Sequence, residues 1–173
     1  MIYQSMSGDA ESGTSTFAMK GGALTGRNGD QIYVTNTHSV ITLEDVTITN
    51  QDSSGRLLAI LGNDATRGWG TAGANGGQVD LTTTNQTLTG AIEVDTVSTL
   101  NFTMGKGTNF TGTINIVKNA EGGTAVDNNA VITVEEGATW TLTGNVTITS
   151  LENKGTINFN GYTITLADGT VLK

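Results

Sequence analysis

Few side chains in this sequence have the chemistry of a reaction centre. The single histidine, His38, precedes Ser39 in a strand-like run. Neighbours in an extended chain point to opposite faces, so these two cannot pair directly as base and nucleophile. His38 therefore reads as a turn or surface residue. Among the carboxylates, Asp80, Glu93 and Asp95 are the best candidates for a calcium or general-base cluster. Glu93 and Asp95 are two apart and share a strand face. No basic residue has a predictable place beside them, and they read as solvated sheet carboxylates. Glu44-Asp45 and Glu135-Glu136 are adjacent pairs that mark turns. Nothing in the sequence has the spacing of a calcium-binding nonapeptide, a phosphate loop or a zinc site. No catalytic residue, metal site or cofactor is expected.

One stretch points to binding instead. Trp69 stands in Gly68-Trp69-Gly70, followed by a Gly-rich run through Asn75 to Gly77. An indole exposed on such a loop stacks on a sugar ring; the competing role is to fold back over the flank of the core. With Arg67 and Asn75, Trp69 forms the candidate ligand-binding set. Trp140, at or beside an apolar register position, reads as structural.

The elements that must position these residues are strands. Three segments match: Thr87-Leu88-Thr89-Gly90-Ala91-Ile92-Glu93-Val94, Asn109-Phe110-Thr111-Gly112-Thr113-Ile114-Asn115-Ile116, and Thr141-Leu142-Thr143-Gly144-Asn145-Val146-Thr147-Ile148. After each glycine, apolar residues fall at every second position, which is a strand with one wet and one dry face. A second strand precedes each of the later glycines at a matching offset, Leu100 and Phe102 before Gly112, and Ile132 and Val134 before Gly144. A repeat of about 22 residues holding two or three short strands is one coil of a solenoid. Lys118 to Asn129 is an insertion of roughly ten residues, expected to lie outside the core.

The same pattern extends to Val46 and Ile48, to Leu58 and Ile60, and onward to Ile157, Phe159, Ile164 and Leu166. The expectation is an all-β fold, a right-handed parallel β-helix of about seven coils forming one domain over residues 1–173. An antiparallel β-sandwich is the competing architecture, and the matched segments about 22 residues apart count against it. No apolar stripe of helical period is long enough to compete.

Composition agrees. The chain has 24 glycines, no proline and no cysteine, with 14% charged residues, and Thr makes up about a fifth of it, a texture of many strands joined by tight turns. A net charge of −8 with isolated Lys and Arg residues argues against nucleic acid and anionic membranes as partners. No run approaches the roughly 18 apolar residues of a bilayer span, so no membrane insertion is expected. The missing cysteines exclude disulfides. The Ser, Thr, Asn and Gly-rich acidic surface points to an extracellular or cell-surface location.

Gly21-Gly22-Ala23-Leu24, the run Tyr33 to Asn50, the run Arg67 to Gly77 and the run Ala138 to Leu166 resemble secreted, adhesin-like β-helix proteins of gut-dwelling Firmicutes. The resemblance covers most of the chain, and its motifs are specific to architecture. It implies a right-handed parallel β-helix displayed outside the cell, within a longer polypeptide, with a role in contact or carbohydrate binding. The expected function is thus a non-enzymatic structural or adhesive module, with glycan or host surface as partner.

Two other functions compete with this one. A polysaccharide lyase or hydrolase would need an acidic cleft with a base, and the Asp pairs, Gly-His-Gly and Arg-x-Lys of polygalacturonase-like enzymes do not occur here. A Thr face that binds ice would need a uniform plane, whereas the aligned outward positions read Glu93, Asn115 and Thr147. Open strand edges at the ends of a solenoid also favour end-to-end self-association.

Overall fold

Thr, Val and Ile at alternating positions, broken by Gly and Asn, produce short strands that turn a corner and continue. The computed structural model describes residues 2–5, 13–63 and 71–173. In chain order the strands are β1 (Ile2–Gln4), β2 (Thr14–Lys20), β3 (Ala23–Gly26), β4 (Ile32–Val34), β5 (His38–Glu44) and β6 (Thr47–Asn50). Then come β7 (Leu58–Ile60), β8 (Gln78–Thr84), β9 (Thr87–Asp95), β10 (Thr99–Met104), β11 (Asn109–Val117) and β12 (Ala130–Val134). The last are β13 (Thr139–Leu142), β14 (Val146–Ile148), β15 (Ser150–Asn153), β16 (Thr156–Asn158), β17 (Ile164–Leu166) and β18 (Val171–Leu172).

These strands form long parallel sheets. One sheet is six-stranded, in the order β15-β12-β10-β8-β5-β2. A ten-stranded sheet runs β1-β4-β7-β9-β11-β14-β17-β18, with β13 on β11 and β16 on β13. The pair β3-β6 stands apart. Successive strands therefore revisit the same sheets in turn, and each strand lies on the one before it in that sheet. The halves of β9 and β11 divide the work: Gly90 sits opposite Gly112 at their middle, the first half of β11 carries β13, and its second half carries β14.

The spacing between ladder partners varies along the chain. Ser15 and Ser39 are 24 residues apart, Asp80 and Asn101 are 21, and Thr141 and Asn158 are 17. The expected period holds in the middle and contracts towards the C-terminus. Among the described residues the six-stranded sheet stacks six strands and the ten-stranded path stacks seven in parallel, before the chain reverses after β17 and β18 pairs with it antiparallel.

Side chains pointing between the sheets form one apolar column. Ile41, Ile60, Ile92, Ile114, Ile132 and Ile148 are each fully buried, and burial of this kind is worth about 1.5–3 kcal/mol for each aliphatic side chain. Trp140 is also fully buried, stacked on Phe110 with ring centroids 5.9 Å apart, and its Nε1–H donates to the Gly112 carbonyl at 3.1 Å. Gly112 itself lies tight against the preceding strand, where a Cβ would stand 1.9 Å from the Gly90 carbonyl oxygen.

Two local expectations are corrected. In the third matched segment Thr111 lies opposite Thr141 rather than Thr143, while Asn115 still lies opposite Thr147. A bend at residues 143–144 takes up two residues between β13 and β14. A slip of two keeps every side chain on its face, so the apolar pattern could not reveal it. Second, β4 and β7 have no wet face: Tyr33 and Ala59 are as buried as their inward neighbours. Among the described residues no helix is long and apolar enough to cross a membrane, which says nothing of a β-barrel.

Candidate functional site

The long insertions both leave the ten-stranded sheet and enter the six-stranded one, after β7 and after β11, so they emerge at the same corner. Between them the corresponding turn of the intervening pass is short, Thr96 to Ser98. The insertion at residues 118–129 has the expected bounds, since β11 ends at Val117 and β12 begins at Ala130. The two insertions touch: a Cβ on Gly73 would lie 2.8 Å from the Gly123 nitrogen, and one on Gly123 would lie 1.9 Å from the Gly73 carbonyl oxygen. Only glycine allows this approach.

Asp95 holds that corner. It is 2% exposed, and its carboxylate accepts from the Gly62 amide at 2.7 Å, the Asn119 Nδ2 at 2.6 Å and the Val97 amide at 3.2 Å. Asn129 Nδ2 donates to the carbonyls of Asp95, Thr96 and Ser98. Of the candidate ligand-binding set, Trp69 and Arg67 lie outside the described residues. Asn75 is half-buried in a left-handed conformation, φ 58°. Its carbonyl accepts from the Asn36 amide at 2.9 Å and the Thr35 hydroxyl at 3.3 Å, which ties the first insertion to the preceding pass.

The candidate carboxylate cluster does not assemble. Asp80 lies on β8 in the six-stranded sheet, Glu93 on β9 in the other, and Asp95 is buried at the corner. Basic partners that the sequence left unplaced are present. Arg56 forks onto Asp30 through Nε at 2.9 Å and Nη2 at 2.8 Å, and reaches Glu93 Oε2 through Nη1 at 2.6 Å. Hydrogen bonding to Asp30 above all holds the guanidinium firmly protonated. Asp80 binds His38 Nε2 at 2.7 Å and accepts from Asn101 Nδ2 at 2.8 Å, and these contacts, Asn101 first, hold its carboxyl below the usual range. Residue separations of 26, 37 and 42 hid these pairs from a reading of spacing.

His38 is a strand residue, half-exposed on β5, with Ser39 pointing inward to meet Ser15. Its Nδ1 lies 3.3 Å from the Thr14 hydroxyl, so Thr14, His38 and Asp80 form a chain across three neighbouring strands. The chain lies flat on the outer face of β2, β5 and β8, where water screens its charges. Among the described residues no three His, Asp or Glu side chains are grouped to hold a metal ion.

One further feature could not be read from the residues. The strands β6 and β9 occupy successive passes but do not pair. The gap between them is a cleft of two contiguous depressions, about 250 and 380 Å³, both lined by Ile48 and Thr89. At one end the Gln86 side chain spans the gap, accepting from the Val46 amide at 3.0 Å and donating to the Val46 carbonyl at 2.7 Å.

Comparison with known proteins returns nothing to place beside this arrangement: no protein family matches, and no curated protein or solved structure is significantly similar.

Proposed function

We propose that the chain is a right-handed parallel β-solenoid, part of a secreted or cell-surface protein, that works without catalysis as a structural or adhesive module. The observation that carries this reading is the register-locked ladder. The six-stranded sheet is parallel throughout, from Thr14 opposite His38 to Val134 opposite Asn153. Stacked on a continuous aliphatic column, such a ladder pairs its backbone above and below and makes a stiff rod. Right-handedness follows from the strong chiral preference of parallel crossovers. The acidic, cysteine-free surface and the resemblance to adhesin-like β-helix proteins support display outside the cell.

The module acts by presentation. Two insertions held together at one corner stand at a fixed height on the rod, and the first carries Arg67 and Trp69 for contact with a glycan or host surface. The carboxylates on which an enzymatic reading would depend have structural partners: Glu93 has Arg56, Asp95 has backbone amides, and Asp80 has His38 and Asn101.

The test is a glycan array probed with the intact chain and with Trp69→Ala, with and without calcium. Binding that disappears in the variant is the expected result. Binding that survives it moves the contact away from the loop. An array without binding refutes the glycan contact and leaves a structural rod.

A further inference from the structure

The six-stranded sheet begins on an open edge. β2 pairs with β5 on one side, and among the described residues no strand lies on its other side. In a parallel ladder the N–H and C=O of one residue point to one side and those of the next to the other. The Gly21 amide donates to the Glu44 carbonyl at 2.8 Å, so Ser15, Phe17 and Met19 turn their backbone groups to β5. Those of Thr14, Thr16, Ala18 and Lys20 point away from it, out of the end of the rod. The apolar column stops uncovered at the same place. Ile41 and Leu43 are fully buried, whereas Phe17 and Met19, which lie on them, are half-buried, as are Ile2 on β1 and Leu24 on β3.

Proteins blunt such edges with proline, inward charges, bulges or very short strands. β2 uses none of these. It is seven residues long, its inward side chains are Ser15, Phe17 and Met19, and its one charge, Lys20, is exposed and paired with Glu44 at 2.8 Å. The opposite end is guarded. There β18 has two residues and lies antiparallel on β17, and β15 has four, with Glu152 exposed. A second copy laid head to tail would meet β18 where β17 should take its first strand.

The β2 edge is complementary to itself. Opposite residues of an antiparallel pair share a face and exchange either two hydrogen bonds or none. Centred on Phe17, β2 sets Thr16 opposite the partner's Ala18 and Thr14 opposite the partner's Lys20, and all four belong to the set with free outward backbone groups. Phe17 then meets the partner's Phe17, and Ser15 the partner's Met19, all on the inner face, which joins the two apolar columns through an aromatic cross-strand pair. No two like charges stand opposite each other.

We propose that the chain forms a two-fold dimer through its N-terminal end, with β2 antiparallel to the partner's β2 about Phe17. Such a contact closes on itself, whereas a head-to-tail one would grow a filament. It assigns the end-to-end association expected of a solenoid to one end, and it makes one rod with two insertion corners. It does not rest on the glycan reading, since it concerns other residues.

The experiment is sedimentation velocity on the intact chain from micromolar to millimolar concentration. A monomer–dimer equilibrium is expected, with the amides of Thr16 and Ala18 exchanging more slowly at the high end. Ala18→Pro removes an outward N–H that bonds to no strand of its own chain, so it should fold as the parent does and weaken the dimer about tenfold or more. Cross-linking reads the register. The chain has no cysteine, so Phe17→Cys, at the two-fold centre, should oxidise to a disulfide-linked dimer. Thr14→Cys should not, because six residues of strand, roughly 20 Å, separate it from its own copy. These two variants carry the test even where proline impairs folding. A monomer at every concentration would overturn the proposal and leave the edge to a different partner. A growing series of oligomers would overturn it by placing the other end in the contact. So would a dimer that a folded Ala18→Pro chain leaves intact, or equal cross-linking by both cysteine variants.

Discussion

Replacing Asp95 with Ala separates a carboxylate that decorates a sheet from one that holds the fold together. A solvated sheet carboxylate can be removed within about 0.5 kcal/mol. In the structure Asp95 is 2% exposed and accepts from the Gly62 amide, the Val97 amide and the Asn119 carboxamide. Truncation leaves the Gly62 and Val97 amides without their acceptor and the Asn119 carboxamide with the Asn63 carbonyl alone, and each buried donor left unsatisfied costs roughly 1–3 kcal/mol. Relaxation of the two insertions returns part of that, so the expected loss is about 3 kcal/mol or more. For a chain of 173 residues this lowers Tm by about 6–12 °C, at roughly 2–4 °C per kcal/mol. Equilibrium urea unfolding followed by circular dichroism measures the loss, and amide exchange at Gly62, Val97 and Asn119 locates it. Loss of stability without faster exchange at those amides would place the damage elsewhere. A variant within 0.5 kcal/mol of the parent would refute the reasoning, since Asp95 would then be the solvated residue that its sequence context implied.

Two further predictions concern residues at the N-terminal passes. Gln31 is fully buried and both its amide atoms lack a hydrogen-bond partner among the described residues, so Gln31→Met, which keeps the volume, should raise stability by about 1–3 kcal/mol; an unchanged or lowered Tm would show that the amide is satisfied. The half-buried Asp52 carboxyl is lowered to about 2, chiefly by the Ser54 hydroxyl and then by the Gly29 amide. A carboxyl with a depressed folded pKa contributes stability above its unfolded value, and that contribution is lost as pH falls from about 4 through about 2. Asp52→Asn should flatten the stability profile across that window, and an NMR titration of Asp52 with a midpoint near 4 would contradict the assignment.

The alternation of Thr with Val, Ile and Leu, the matched glycines and the turn residues are local properties, and they determined much of this protein without a structure. Strand character, the inward set from Val46 to Ile164, the core role of Trp140 and the bounds of the insertion at 118–129 follow from a period of two and from the chemistry of turns. The alternation is blind to a slip of two residues, so it placed Thr143 opposite Thr111, where Thr141 stands. It also says nothing about groups that meet from distant passes. Arg56 reaches Asp30 and Glu93, His38 reaches Asp80, and Asp95 gathers donors from two insertions, because parallel stacking brings together residues that stand 24 to 42 positions apart in the chain. The cleft at β6 and β9 was hidden for the same reason. Each strand taken alone looks able to pair, and whether two strands meet is decided by the corners that feed them. Gln86 fills that gap with a carboxamide because its side chain, unlike the backbone on either side, reaches across it.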